Sequence, residues 1–223
     1  MKITAPLFIL GCAITTSALA SATDLQQNYS YVSAGYQYSL FDEYLLTDID
    51  GSSYDYMSGY YARASINPID NFFLEGRYDD VSQDRLGFSQ SLIGLGYYMP
   101  VGDNSSVYAL LGAEKLTAEI DLSNPFFSDV SLTYSDTAFT AEVGAKFNLM
   151  ERWTVEPAIR VATFDEPLYE LRLDNQIHLT EAWSLEANIA HRAIELDTSQ
   201  FGELLTLKEM NFRLGARYQF NIS

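Results

Sequence analysis

The stretch MNFRLGARYQF, Met210 to Phe220, alternates without a break. One set of residues, Met210, Phe212, Leu214, Ala216, Tyr218 and Phe220, is apolar. The other set, Asn211, Arg213, Gly215, Arg217 and Gln219, is polar, basic or tiny. Period two places successive side chains on opposite faces of a strand, so this is a β-strand between two unlike environments. The fold turns on which of the two environments is water.

The same alternation recurs in ten segments, near 29–41, 54–66, 72–82, 88–99, 107–118, 134–148, 153–164, 168–180, 183–196 and 204–220. Runs of alternating residues bounded by turn formers predict strands. Four connections are tight: NPIDN (67–71), PVGDNSS (100–106), LMER (149–152) and TEA (180–182). The others, DEYLLTDIDGSS (42–53), SQDRLG (82–87), EIDLSNPFFSDVSLT (119–133), DEPL (165–168) and DTSQFGE (197–203), are mostly longer and acidic. Tight turns and longer loops therefore alternate, as at the periplasmic and outer ends of a transmembrane β-barrel. The residues after three tight turns, DNFFLEGRYD, ERWTVEPAIR and EAWSLEANIAHR, also resemble one another, as equivalent strands would. A propeller or solenoid would show a stricter period. No helical periodicity of comparable length and no Pro/Ser linker interrupts the pattern, which predicts a single domain over 23–223.

The chain has 223 residues, 48% of them hydrophobic, with 16 Tyr and 13 Phe against 2 Trp. Beyond the first twenty residues no apolar run is long enough for a membrane-spanning helix. The opening MKITAPLFILGCAITTSALASA carries one Lys, an apolar stretch and two A-x-A patterns, which predicts a secretory signal peptide over 1–22, cut after Ala20 or Ala22. The single cysteine, Cys12, falls inside it, so an exported chain cut there has no disulfide. The formal charge is -17, a sign that disfavours nucleic-acid partners. Acidic loops at an outer surface instead suit divalent cations.

Each strong segment pairs an apolar face with a face carrying full charges near its middle. In the segment 153–164, Trp153, Val155, Pro157, Ile159 and Val161 oppose Thr154, Glu156, Ala158, Arg160 and Ala162. In 134–148, Phe139, Ala141, Val143, Ala145 and Phe147 oppose Thr140, Glu142, Gly144, Lys146 and Asn148. A soluble sandwich would turn the charged faces to water. Two features point instead to a crowded interior. The charged faces are rich in Gly and Ala, which suits the concave side of a small barrel. Their charges also balance: Glu75, Glu114, Glu142, Glu156, Glu170, Asp174, Glu186 and Glu209 are eight acids, and Arg63, Arg77, Lys146, Arg160, Arg172, Arg192, Arg213 and Arg217 are eight bases. Water makes no such demand, whereas a desolvated lumen does, because an unpaired buried charge costs several kcal/mol. The apolar faces end in two aromatic belts, as at the two interfaces of a bilayer. Phe72, Phe147, Trp153, Trp183, Tyr218 and Phe220 lie at the turn end, and Tyr38, Tyr60, Tyr78, Tyr134, Phe164 and Tyr169 at the loop end. Asn175 is out of place on the lipid side, which predicts a shifted or bulged strand there. The fold class is thus all-β: a closed antiparallel transmembrane β-barrel of ten strands, with eight as the alternative count.

The signal peptide, VSAGYQYSL (32–40), GLGYYM (94–99) and FRLGARYQF (212–220) together resemble the small outer-membrane β-barrels of Gram-negative bacteria, the OmpA/OmpX-type "porin family". The resemblance spans the whole exported chain and is architectural. It implies an outer-membrane location, lipid and lipopolysaccharide neighbours, and insertion by the barrel-assembly machinery. The chain departs from the family pattern in having ten strands rather than eight and in following Phe220 with Asn221-Ile222-Ser223.

The expected role is structural or surface-interacting and non-enzymatic, with no cofactor, no metal centre and no nucleic-acid partner. The alternative is a narrow channel for ions or small solutes. A ten-stranded barrel lies near the size at which side chains fill the interior, so a wide pore is not expected. A remoter class is a rim protease, resembling the ten-stranded omptins, or a lipid A-modifying enzyme. For a protease the chain offers Asp79, Asp80 and His191, but Ile189 stands where an Asp-x-His pair needs Asp, and alternation turns His191 outward. Neither His191 nor His178 has a serine placed to act as a nucleophile, and two isolated histidines with no other soft ligand do not make a transition-metal site. His178 is expected in the polar lumen at the turn end.

Overall fold

Each of the ten alternating segments becomes one strand of a closed antiparallel wall. The computed structural model describes residues 29–42, 46–47, 53–121, 131–165, 167–198 and 203–220. In chain order the elements are β1 (Tyr31–Phe41), the two-residue pair β2 (Leu46–Thr47) and β3 (Ser53–Tyr54), β4 (Tyr56–Ile69), β5 (Phe72–Gln83), β6 (Leu86–Pro100), β7 (Ser105–Asp121), β8 (Ser131–Met150), β9 (Trp153–Ala162), β10 (Leu168–His178), β11 (Trp183–Thr198) and β12 (Glu203–Gln219). Strands β4 to β12 pair in sequence, and β1 closes the ring between β12 and β4. The decisive stretch is therefore the closing strand: Val32 sits opposite Tyr218, Gly35 opposite Gly215 and Leu40 opposite Met210. Closure gives each of the ten barrel strands a partner on both sides, the condition for backbone to lie in lipid. Residues 1–22, and the three longest acidic loops in whole or in part, lie outside the described residues.

The turns are made by residues suited to them. Asn67 donates its side-chain amide to the carbonyls of Asp70 (2.7 Å) and Phe72 (2.6 Å), closing the β4–β5 turn. Asp70 at φ 41° takes the left-handed conformation that Asp tolerates. Pairing shifts by a residue beside two tight turns, between Ile66 and Ile69 and between Asn148 and Met150.

Two ladders are interrupted within the apolar band, at the same depth on either side of the β9–β10 hairpin. On the β8 side, pairing stops at Gly144–Ala158 and resumes at Phe147–Val155. Thr163 donates its N–H to the Phe139 carbonyl (2.8 Å), so by period two the odd-numbered residues of β9 point their N–H groups at β8. Position 157 is proline, which has no N–H to give. On the β11 side, pairing stops at Leu173–Ile189 and resumes at Gln176–Glu186. There the Asn188 side-chain oxygen takes the Asn175 N–H at 3.0 Å. The register is the same above and below the gap, and β9–β10 pairing is continuous through Asn175. The expectation of a shifted or bulged strand at Asn175 is corrected accordingly: a side chain has entered the ladder, and no residue is added.

Inside, the lumen is layered. An aromatic cluster of Tyr29, Phe73, Tyr98 and Tyr108 with Leu92, Leu110 and Ala158 packs together towards the turn end, where a recess of about 920 Å³ lined by Asn104, Asn148, Thr154, His178 and Gln219 also opens. Apolar groups line the loop end, with Met57, Val81 and Leu86 on one side and Leu116, Ala138, Ala162, Phe164 and Leu168 on the other. The ionic residues lie between these layers. Glycines make room for the rings: a Cβ at Gly96 would collide with Phe73, and one at Gly144 with Tyr108. Phe164 is buried in the loop-end cluster and not in the outward belt, because it shares the even-numbered, inward face of β9 with Arg160 and Ala162. Pro157→Val supplies the missing donor to β8 and should raise unfolding stability by about 1 kcal/mol in a denaturant titration of detergent-folded protein; an unchanged or lower midpoint contradicts this account of the gap.

Candidate functional site

Three facing strand positions on opposite walls define the centre of the lumen: Arg77 on β5, Glu142 on β8 and Arg172 on β10. Arg77 grips Glu142 with two parallel hydrogen bonds, 2.6 and 2.8 Å, the fork geometry at which guanidinium and carboxylate bind best. Arg172 reaches the same carboxylate at 2.9 Å, and the Tyr108 hydroxyl donates to it at 2.9 Å. Glu142 thus holds three walls together.

From this centre the network spreads along the axis. Arg77 also holds Glu75 at 2.6 Å, and Arg172 holds Asp174 at 2.9 Å, which in turn accepts from Arg63 on β4 at 2.9 Å. Towards the loop end, Arg172 approaches Glu170, which bridges Arg160 (2.8 Å) and Arg192 (2.6 Å). Arg160 binds Glu114 at 2.6 Å, and Gln90 donates to the same carboxylate. Arg192 continues to Asp79 (3.4 Å) and Glu209 (3.5 Å), and Arg213 reaches Asp79 at 3.0 Å. Towards the turn end, Glu156 meets Arg172 (3.5 Å) and Lys146 (3.6 Å). Arg217 and Glu186 form a separate pair at 2.5 Å, capped by the Tyr61 hydroxyl at 2.9 Å.

All sixteen charges expected inside are buried there. Glu75, Glu114, Glu142, Glu156, Glu170, Asp174, Glu186 and Glu209 meet Arg63, Arg77, Lys146, Arg160, Arg172, Arg192, Arg213 and Arg217 within one lumen. One further acid joins them. Asp79, considered from sequence as a rim residue beside Asp80, points inward between Arg192 and Arg213. The balance is therefore nine acids to eight bases, and the equal count is corrected. Alternation marked Asp79, since it shares a face with Glu75 and Arg77.

Alternation also places aromatics in the lumen that were not singled out as site residues. Tyr61 follows the face of Arg63, and Tyr108 that of Glu114. Tyr29, of the same parity as the inward Tyr31, stacks on Tyr98 at 4.2 Å, with the Lys146 ammonium 3.8 Å above its ring and its hydroxyl bonded to Ser106 at 3.0 Å. Arg217 lies over Tyr31 at 3.7 Å. His178 contacts the Thr154 hydroxyl at 2.8 Å at the turn end.

The outer surface is the inverse. Phe139 is 79% exposed and Leu214 67%, while Arg172 is 2% exposed. Trp153, Trp183, Phe72 and Tyr218 stand outward at the turn end, with Phe147 and Phe220 half-buried beside them. Trp183 packs on Tyr218 (5.0 Å), and Tyr218 stacks with Phe220 (6.3 Å). His191 is exposed on the outward face of β11, and Asp80 on that of β5, where Tyr78 donates to it at 3.0 Å. Asp79 lies inside. The three residues weighed for proteolysis are thus divided between the two faces of the wall, with β5 and β11 separated by three strands.

A closed wall that is oily without and ionic within defines an integral β-barrel of a membrane. The chain belongs to the family described as "Outer membrane protein beta-barrel domain", which matches residues 8–220, and its location is the bacterial outer membrane. No curated protein matches it. Solved structures of similar fold include Ail, the attachment invasion locus protein of Yersinia pestis, at 16% identity over 86% of this chain and 97% of that one (TM-score 0.41). Outer membrane protease OmpT from Escherichia coli is similar at 8% identity over 86% and 96% (TM-score 0.48). Neisserial surface protein A is similar at 10% identity over 85% and 96% (TM-score 0.40).

Because Glu142 is shared by two guanidinium groups, Glu142→Ala should cost about 3–5 kcal/mol by leaving both buried beside each other. Arg160→Ala, which strands Glu114, should cost a similar amount. Guanidinium titration in detergent checks both; a loss below about 1 kcal/mol for each would mean that water already solvates these groups.

Proposed function

We propose that the protein is a non-enzymatic, closed barrel that serves the outer membrane as a rigid platform, with its interactions made at the outer mouth and acidic loops. The observation that carries this reading is the set of ion pairs that cross the lumen rather than run along one wall. Arg63 on β4 reaches Asp174 on β10, Arg77 on β5 reaches Glu142 on β8, and Asp79 on β5 meets Arg192 on β11. Such spokes fill the cross-section of a ten-stranded barrel and brace it against collapse. Beneath them the ring cluster around Tyr29 narrows the lumen.

The acids outside the lumen support the interaction role. Asp42, Asp55, Asp80, Asp84, Glu119, Asp121, Asp136 and Asp165 all lie towards the loop end, where Arg85, Lys115 and Lys208 are the described bases. A rim of this sign gathers divalent cations, which bridge carboxylates to the phosphates of lipopolysaccharide. Biogenesis would follow the family route, with insertion by the barrel-assembly machinery.

The channel reading requires the Arg77–Glu142–Arg172 layer to part. Purified protein in a planar bilayer should therefore show no reproducible conductance step. A unitary open state of constant size would replace the platform with a channel.

A further inference from the structure

We propose that the outer mouth of the barrel binds an organic ammonium group, an amine on a short apolar stem. The first reason is charge. The continuous network from Arg63 to Glu209 contains eight carboxylates and seven cations, and the separate Arg217–Glu186 pair leaves the excess unchanged. A desolvated interior with one more anion than cation favours a monovalent cation and rejects an anion.

The second reason is position. Asp79 is the most accessible of these acids, its side chain 14% exposed where Glu156, the next, is 9%. It lies at the base of a cleft of about 40 Å³ that opens towards the loop end. Glu209 shares the base, and Phe41, Phe88, Val81 and Leu116 form the sides. Arg192 also borders the cleft, but its Nε is committed to Glu170 at 2.6 Å, and its contacts to Asp79 (3.4 Å) and Glu209 (3.5 Å) are long. Asp79 also accepts from Arg213 at 3.0 Å and Glu209 from the Ser39 hydroxyl at 2.6 Å, and since an ionised carboxylate offers about four lone-pair sites, each keeps capacity for a further donor.

The third reason is the wall. Phe41 and Phe88 lie 6.5 Å apart between ring centroids and both line the cleft, where aromatic rings attract an organic cation and give a hydrated metal ion no ligand. A space of this size takes about three water-sized groups, since one water needs roughly 10–15 Å³. An ammonium with the first carbons of its stem fills it, and the rest of the molecule extends outward. A free small amine and the lysine side chain of an approaching protein share this chemistry.

The inference deepens the platform reading and rests on it, because a conducting lumen would pass such a cation rather than hold it. The test is isothermal titration calorimetry on the full chain folded in detergent, with heat-modifiable gel migration as the check of folding for every variant. n-Butylammonium should bind saturably, n-butanol at least tenfold more weakly, and butyrate not at all. Phe88→Leu, which lies outside the ionic network, and Asp79→Asn should each weaken n-butylammonium at least fivefold. Equal binding of n-butanol, no saturable binding of n-butylammonium, or indifference to Phe88→Leu in folded protein overturns the site. Nα-acetyl-lysine amide separates the sources: binding comparable to n-butylammonium assigns a protein lysine, and exclusion assigns a free amine, both upholding the ammonium site. Bilayer recording on the same sample keeps the two readings apart. A conducting barrel overturns the platform and this site with it, and a silent barrel that ignores the amine overturns this site alone.

Discussion

Everything in this molecule depends on keeping a dense set of full charges out of water without leaving any of them alone. Removing a carboxylate or guanidinium from water costs several kcal/mol even after relaxation, and only close pairing with good geometry offsets it. The barrel meets that demand with shared partners: Glu142 serves two arginines, Glu170 meets three, and Arg172 reaches four acids. Sharing has a structural consequence. Each spoke ties strands that are not neighbours in the sheet, so the network sets the cross-section of the barrel while the hydrogen-bond ladders set its circumference.

The ladders have the complementary task, because lipid offers no hydrogen bonds to the backbone. Their continuity around most of the ring makes the two interruptions beside β9–β10 informative. Both arise from single residues: Pro157 withholds a donor, and Asn188 supplies an oxygen in place of a backbone carbonyl. Behind the first gap stand Lys146 and Glu156, and behind the second Asp174, all in the ionic network. The lumen therefore reinforces the hairpin from inside where its edges are weakest.

Much of this was legible in the sequence because a strand writes its two faces in alternate letters. Ten strands, the closing role of Met210–Phe220 and the inward set of sixteen charges all follow from period two. Errors arose where one residue was judged by its kind rather than its parity. Phe164 looked like an interface aromatic and Asp79 like a rim acid, yet both belong to inward faces by simple counting. Other features were not legible for a physical reason. Which arginine meets which glutamate depends on side chains that cross the lumen from strands far apart in the chain. Local pattern carries no information about that. Asn175 was recognised as an anomaly, but its explanation lies on another strand, in Asn188.

The lumen is layered, with rings at the turn end, ions in the middle and an apolar collar at the loop end. The collar turns the outer end of a charged interior into a small cleft with a defined chemistry. All of this presumes that the exposed apolar residues meet acyl chains. Nitroxide labels placed at Leu111 and Leu214, on well-separated strands, in protein reconstituted into vesicles measure that contact directly through collision rates. Oxygen, which concentrates in the bilayer, should relax both labels strongly while a water-soluble nickel chelate barely reaches them. Labels relaxed by the nickel chelate as freely as an aqueous site would mean that water covers these residues, and the inside-out arrangement would fail.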